Sequence, residues 1–206
     1  MPTGKRQTPI SAKLKNTPPR KPKNVNRRNR EYLTDAEIET LRKAARNIGR
    51  HRIRDDAIIL LMFRHGLRVS EVTALQWSQI DFKKGFLHVK RLKNGLPSTH
   101  PLHGTELRLL RQLQREYNYS PYVFTSERKA SLTDRAVRHF IARAGIEADF
   151  PFPIHPHMLR HSTGFYLANK GEDTRAIQSY LGHANIKNTV IYTELSPDRF
   201  KDFWSD

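Results

Sequence analysis

The chain has 206 residues, with 37 Lys or Arg against 20 Asp or Glu and no cysteine, which gives a net charge of +17. This length predicts one domain with an appendage, or at most two small domains. The lack of cysteine excludes disulfides, thiolate nucleophiles and Cys-based zinc sites. No apolar run is long enough to span a membrane, and no signal-peptide pattern is present. We therefore expect a cytoplasmic protein with a polyanionic partner, of which nucleic acid is the commonest.

The first 30 residues differ from the rest of the chain in composition. They contain ten Lys or Arg, five Pro and no acidic residue, which leaves the other 176 residues at +7. Such a segment cannot bury enough apolar surface to offset the entropy of ordering. We interpret residues 1–30 as a disordered basic arm, which either grips a nucleic acid backbone or is only a solvated tail, and residues 31–206 as the folded domain.

The folded part reads as mainly α with a small three-stranded antiparallel β-sheet. Thr34 and Glu37 form a capping box, and the apolar run 58–63 before Gly66 predicts a helix at the centre of the core. Turn signals at Lys84-Gly85 and Asn94-Gly95 separate three short strands. The predicted strands are 80–82, 86–92 and 98–102. The predicted helices cover about 35–47, 52–65, 104–117, 133–144, 156–170, 173–181 and 185–193, with glycines 145, 171 and 182 just after three of them and a last short helix after Ser196-Pro197.

The helix after Pro156 predicts a chemical face. On a helical wheel, Met158, Leu159, Phe165 and Tyr166 share one arc, which we expect to face the core. His157 and Arg160 lie one turn apart on the opposite side, with Gly164. Taken alone, His157 is best interpreted as a capping or solvated histidine near a helix start. A zinc site of His155, His157 and His161 is disfavoured because the three do not share a face.

Two further residues are weak candidates by themselves. Lys93 precedes the Asn94-Gly95 turn, so its side chain is expected near a hairpin tip, where Lys90 and Arg91 compete with it for any role. Tyr192 lies nine residues beyond His183, and a tyrosine is usually a core or surface residue. Their interest comes from the set to which they belong.

That set resembles the catalytic signature of the tyrosine site-specific recombinases, the phage integrase family. The matching positions, in order, are Arg68, Lys93, His157, Arg160, His183 and Tyr192, within Gly-Leu-Arg-x-Ser-Glu, His-x-Leu-Arg-His and Leu-Gly-His-x-x-Ile-x-x-Thr-x-x-Tyr-Thr contexts. The segments 91–95, 99–102 and 154–157 are most similar to the fimbrial phase-variation DNA invertases. The resemblance implies the catalytic-domain fold of DNA breaking-rejoining enzymes, without a separate N-terminal core-binding domain.

The resemblance also implies the chemistry, which is phosphoryl transfer without metal, ATP or another cofactor. Arg68, Arg160 and His183 would bind the phosphate oxygens, and Tyr192 would be the nucleophile, with His157 as its base and Lys93 as the acid for the leaving 5′-oxygen. The expected product is a 3′-phosphotyrosyl link, followed by strand exchange through a Holliday junction.

Other residues have open interpretations. Glu71, one turn beyond Arg68, either orients the arginines from behind or forms a plain surface salt bridge. Lys90 and Arg91 are expected to contact the DNA backbone. A terminal stripe of Phe200, Phe203 and Trp204 either folds back on its own core or docks on a neighbouring protomer.

The expected partner is double-stranded DNA with inverted-repeat recombination sites, bound by a tetramer on synapsed DNA with accessory DNA-bending proteins. No membrane partner is expected, and the location implied is the cytoplasmic nucleoid. Two alternatives remain: a nicking-closing topoisomerase, which the length and motifs fit less well, and a catalytically silent DNA-binding regulator, which has no need of Tyr192.

Overall fold

The computed structural model describes residues 30–91 and 95–194. In this part the chain is mainly helical with one three-stranded antiparallel sheet, as the sequence predicts. The basic arm up to residue 29, the hairpin segment 92–94 with Lys93, and the terminal stripe from residue 195 lie outside the described residues. The elements are α1 (Asp35–Asn47), α2 (Arg52–His65), α3 (Val69–Thr73), a 3₁₀ turn (Trp77–Gln79), β1 (Ile80–Asp81), β2 (Phe86–Val89), β3 (Ser98–Pro101), α4 (Gly104–Glu116), α5 (Asp134–Glu147), α6 (Pro156–Asn169), α7 (Thr174–Leu181) and α8 (Lys187–Glu194).

Helix α2 is the centre of the core. Residues 58–62 are each at most 1% exposed, and the helix packs against α1, α4 and α6. Helix α1 begins at the predicted capping box, in which the backbone N–H of Thr34 donates to the Glu37 carboxylate (2.8 Å). Helix α2 ends at Gly66, whose φ of 57° is left-handed and favours glycine. The backbone turns there and leads directly into the short connection between α2 and α3.

The sheet has the order β1-β2-β3 and lies on one side of the helices. Leu87 pairs with Ile80 on one side and with His100 on the other, and all three side chains are buried. Strand β2 ends at Val89, three residues earlier than predicted. The cause lies at Arg91, whose side chain is buried against α2 and α7 rather than alternating along the strand.

Two expectations for helices need correction. Helix α5 continues through Gly145, which was expected just after its end, because that glycine packs directly on Ile154. In α6, Tyr166, which was expected in the core, is 38% exposed, whereas on the face opposite Met158 His157 is exposed but Arg160 and Gly164 are buried. The reason is that α6 lies between α2 and α8 and is covered on both sides.

We predict that Gly145→Ala destabilises the domain. A Cβ at this position would lie 2.6 Å from Cγ1 of Ile154, so the substitution overpacks the core and should lower the free energy of unfolding by about 1–3 kcal/mol. Urea denaturation followed by circular dichroism measures the change. Gly104→Ala, at the exposed start of α4, is the matched control and should change the stability little. An unchanged midpoint for Gly145→Ala would contradict the packing at this site.

Candidate active site

The loop between α2 and α3 is the backbone framework of the site. The carbonyl of Gly66 accepts hydrogen bonds from Nη1 of Arg160 and from Nη1 of Arg91 (3.3 Å). A side chain on Gly66 would collide with Leu181, so α7 lies directly against this turn. One peptide group therefore fixes the positions of two buried arginines relative to the start of α3.

Glu71 is held between two arginines. Its Oε1 accepts from Nη1 of Arg68 (2.7 Å) and its Oε2 accepts from Nη1 of Arg91 (2.9 Å) and from the backbone N–H of Arg68 (2.9 Å). The Glu71 side chain is 1% exposed. Burial alone would raise its pKa, but these hydrogen bonds and charges lower it below the ordinary value. The interpretation of Glu71 as a surface salt bridge does not fit this burial.

Arg91 is an interior residue. Its side chain is fully buried, and Nη2 donates to the carbonyls of His65 (3.1 Å) and Tyr180 (2.6 Å). The expectation that Arg91 contacts the DNA backbone therefore does not fit the structure, because the guanidinium has no surface to offer. Lys90, the other residue expected there, is exposed.

Arg160 lies beside this group. It is 1% exposed, and besides Gly66 its guanidinium donates to the carbonyl of Leu181 (2.7 Å). Burial and then repulsion from Arg68 and Arg91 lower the pKa of Arg160 to about 9, so it stays charged at neutral pH. One carboxylate, Glu71, faces three guanidinium groups, so this cluster carries an excess of positive charge that an anion would stabilise.

The cluster opens into a pocket of about 350 Å³. Arg68, Arg160 and His157 line it, and the Arg68 side chain is 27% exposed. His157 lies in the first turn of α6 and is exposed at the mouth. Partial desolvation and then Arg160 lower the pKa of His157 below its ordinary value, which favours the neutral imidazole. The structure thus brings together the His and Arg of α6 with the arginine that precedes α3.

His183 follows the left-handed Gly182 at the end of α7 and is 9% exposed. Its Nδ1 lies 2.8 Å from the hydroxyl of Thr189, which is completely buried. Burial, followed by the charges of Arg160 and Arg68, lowers the pKa of His183 to about 3. If Thr189 donates to Nδ1, the neutral imidazole has its proton on Nε2, where it is a donor for a phosphate oxygen.

Tyr192 lies on α8 and is 2% exposed. Its ring stacks on His183 at a centroid distance of 6.4 Å, and its hydroxyl lies 3.0 Å from Nδ1 of His161. Burial raises the pKa of Tyr192 to about 12, although Arg160 lowers it in part. The phenol is therefore protonated at neutral pH and is held beside the cationic pocket.

The sequence reasoning missed three contributors. His161 was considered only as a disfavoured zinc ligand, and Thr189 and the buried role of Arg91 were not considered, although His161 and Thr189 both belong to the motif contexts that surround His157 and His183. His161 and Tyr192 are in contact in the fold but 31 residues apart in the chain. The spacing of apolar residues, which predicts helices and strands, contains no information about such a contact.

Two features are absent from the described residues: a cluster of metal ligands and a helix that could cross a membrane. Within residues 30–91 and 95–194, no three His, Asp or Glu side chains are grouped so that they could hold a metal ion. In the same part of the chain, none of the helices combines the length and apolar character that crossing a bilayer requires.

We predict that acid destabilises this protein through its buried histidines. The pKa values of His100 (about 3), His161 (about 4) and His183 (about 3) lie far below the unfolded value of 6.5, chiefly because of burial. At pH values between the folded and the unfolded pKa, these histidines bind protons in the unfolded chain but not in the folded one. The free energy of unfolding should therefore fall as the pH drops from about 6.5 towards 4.

Urea midpoints at pH 7.5, 6 and 5 measure this effect. His100→Asn should reduce the dependence on pH, whereas His139→Asn, at an exposed position of α5, is the matched control and should leave it unchanged. A midpoint that stays constant from pH 7.5 to pH 5 would contradict the prediction.

Comparison with known proteins identifies relatives over most of the chain. Type 1 fimbriae regulatory protein FimB of Escherichia coli K12 is 44% identical over 180 residues, which are 85% of this chain and 90% of FimB. FimE of the same strain is 40% identical over 181 residues, with 85% and 91% covered. Tyrosine recombinase XerA of Pyrococcus furiosus is 36% identical over 174 residues, which are 82% of this chain and 59% of XerA.

Solved structures share the fold. A crystal structure of XerA recombinase superposes with a TM-score of 0.72 at 26% identity, over 84% of this chain and 63% of that one. A lambda integrase dimer bound to a COC′ core site gives a TM-score of 0.64 at 23% identity, over 85% and 50%. The chain thus spans about half to two thirds of these longer proteins, and its fold is that of tyrosine recombinase catalytic domains.

The profile of the phage integrase family matches residues 31–199, which is most of the sequence. With this match and the 40–44% identity to FimB and FimE, the chain belongs to the phage integrase family.

Proposed function

We propose that this protein is a site-specific DNA recombinase, an invertase or small integrase, that cuts and rejoins DNA through a 3′-phosphotyrosyl intermediate. The observation that carries the proposal is the position of a buried tyrosine, Tyr192, beside a pocket that has excess positive charge and is lined by Arg68 and Arg160. Membership of the phage integrase family and the similarity to tyrosine recombinase XerA support it.

The pocket suits a phosphodiester in its transition state. Arg68 presents its partly exposed guanidinium to the non-bridging oxygens, Arg160 adds positive charge from the lining of the pocket, and His183 adds a neutral donor. Glu71 and Arg91 do not touch the substrate in this account. They hold Arg68 and the Gly66 turn in place, so that little reorganisation is needed when charge develops on the phosphate.

The reaction exchanges one ester bond for another. The Tyr192 hydroxyl loses its proton to His157, and the phenolate oxygen forms a bond with phosphorus while the bond from phosphorus to the 5′-oxygen breaks. Lys93, assigned from sequence because it lies outside the described residues, supplies the proton that converts this oxygen to a 5′-hydroxyl. A 5′-hydroxyl from another strand then attacks the phosphotyrosine and returns the proton, so no ATP is consumed.

The proposed partner is double-stranded DNA with inverted-repeat sites. Solved relatives include a XerH recombinase on a palindromic difH substrate and a lambda integrase tetramer on a Holliday junction. By analogy with these proteins, the proposed assembly is a tetramer on synapsed DNA. A nucleoid location and accessory DNA-bending proteins are parts of the proposal that come from the sequence resemblance alone. The exposed Lys90 is a DNA backbone contact in this proposal, and the basic arm adds salt-sensitive affinity.

We predict that Tyr192→Phe abolishes covalent adduct formation on DNA. A suicide substrate with a nick beside the recombination site traps the phosphotyrosyl intermediate, which denaturing gels detect as a protein–DNA species. Wild-type protein should form it and Tyr192→Phe should not, because the variant lacks the attacking oxygen. Tyr166→Phe, at the exposed side of α6, is the matched control and should react like wild type. Specific DNA binding by the wild type without any adduct would favour the silent regulator.

We also predict that a substrate whose leaving group needs no proton restores DNA cleavage by Lys93→Ala. A bridging 5′-phosphorothiolate has a leaving group that needs no proton, so this substrate should restore cleavage by Lys93→Ala to about the wild-type rate. Lys90→Ala should weaken DNA binding without being rescued. Failure of the sulfur substrate to restore Lys93→Ala would remove Lys93 as the general acid.

A further inference from the structure

The hydroxyl of Tyr192, although the residue lies beside the cationic pocket, is bonded to His161 of α6 rather than to an arginine of that pocket. The residue is 2% exposed, and it packs against residues of α6 and α7. A phosphodiester of duplex DNA, bound in the open pocket of Arg68 and Arg160, can react only with an oxygen that it can touch. The phenol must therefore leave its buried position before the DNA is cut.

Helix α6 has a groove at Gly164 into which the ring of Tyr192 packs. A Cβ at Gly164 would lie 2.5 Å from ring carbons of Tyr192, so the absence of a side chain there creates the space. Phe165 meets the ring edge-on at a centroid distance of 5.2 Å. These contacts define one specific buried position rather than a loose one.

His161 provides the hydrogen-bond partner for the buried hydroxyl of Tyr192 in this position. It lies one turn beyond His157 on α6, is half-buried, and has its Nδ1 3.0 Å from the Tyr192 oxygen. A buried phenol O–H needs an acceptor. Burial and then the neighbouring His157 lower the pKa of His161 to about 4, so the imidazole is neutral and its Nδ1 can accept. His155 and Arg160 also face this ring electrostatically and oppose its protonation.

We propose that His161 is a positioning residue that holds Tyr192 in a resting state: by accepting the phenolic hydroxyl at Nδ1 it keeps the nucleophile on α6, and cleavage requires that this bond is broken. The inference rests on the proposed function, in which Tyr192 is the nucleophile. The hydrogen bond between Tyr192 and His161, however, is present in the protein without DNA. His161 restrains the nucleophile in this account and does not take its proton during the reaction.

The first test measures the resting state in DNA-free protein. His161→Phe keeps a ring but removes the acceptor, and His161→Asn places an amide oxygen near the position of Nδ1. Nitration of tyrosines by tetranitromethane, read by peptide mass spectrometry, reports how often Tyr192 is accessible, with the 45% exposed Tyr119 as internal reference. Nitration of Tyr192 should rise roughly fivefold in His161→Phe, the factor expected for one lost neutral hydrogen bond.

His161→Asn should keep nitration of Tyr192 close to wild type, and His139→Phe, on the exposed side of α5, is the matched control and should have no effect. Equal nitration in wild type and His161→Phe would overturn the proposal. Increased nitration in His161→Asn as large as that in His161→Phe would also overturn it, because the hydrogen bond would then not be what holds the ring.

The second test measures cleavage. Under single-turnover conditions with the nicked suicide substrate, His161→Phe should form the adduct severalfold faster than wild type. Slower formation would overturn the proposal, since His161 would then assist the attack.

In a Tyr192→Phe background, hydrogen peroxide can replace the tyrosine oxygen as nucleophile, and adding His161→Phe should leave the rate of this peroxide reaction unchanged. A drop in the peroxide reaction would place His161 in the phosphate pocket and also overturn it. If wild type forms no adduct, the proposed function fails, and nitration still decides the role of His161.

Discussion

The carboxylate of Glu71 is the interaction on which the site depends. It is buried between Arg68 and Arg91, and through Arg91 it is connected to the Gly66 carbonyl that also receives Arg160. Bringing three guanidinium groups together is unfavourable, and a single buried anion offsets part of the repulsion. The remaining positive charge is available to a phosphate. The same arrangement therefore holds the loop in place and, under the proposed function, prepares it for a transferring phosphoryl group.

The nucleophile is organised separately from this cationic cluster. Tyr192 belongs to a small apolar cluster of α6, α7 and α8, and its hydroxyl is bound to His161 rather than to an arginine. A protonated, buried phenol is unreactive until it moves. Under the proposed function, the residues that recognise the phosphate are preformed, and delivery of the attacking oxygen is a separate step.

Local signals predicted the framework well. The capping box at Thr34 and the glycine at 66 are determined by backbone chemistry within a few residues, so helices α1 and α2 followed from sequence. The wheel for α6 placed Arg160 correctly opposite Met158 but could not show that α8 covers that side. Arg91 was misjudged for a similar reason: its partners, Glu71 and Tyr180, are 20 and 89 residues away, and only the tertiary fold brings them together.

The most direct test is the rate at which Glu71→Gln forms the covalent adduct on the nicked suicide substrate. Circular dichroism without denaturant first establishes that the variant is folded. The amide keeps the shape of Glu71 but removes its charge, so Arg68 and Arg91 lose their anchor. We expect cleavage to slow by about 100-fold, as for a small misplacement of a catalytic group, and Glu172→Gln at an exposed position to react normally. Cleavage by folded Glu71→Gln at the wild-type rate would contradict the central role of this carboxylate.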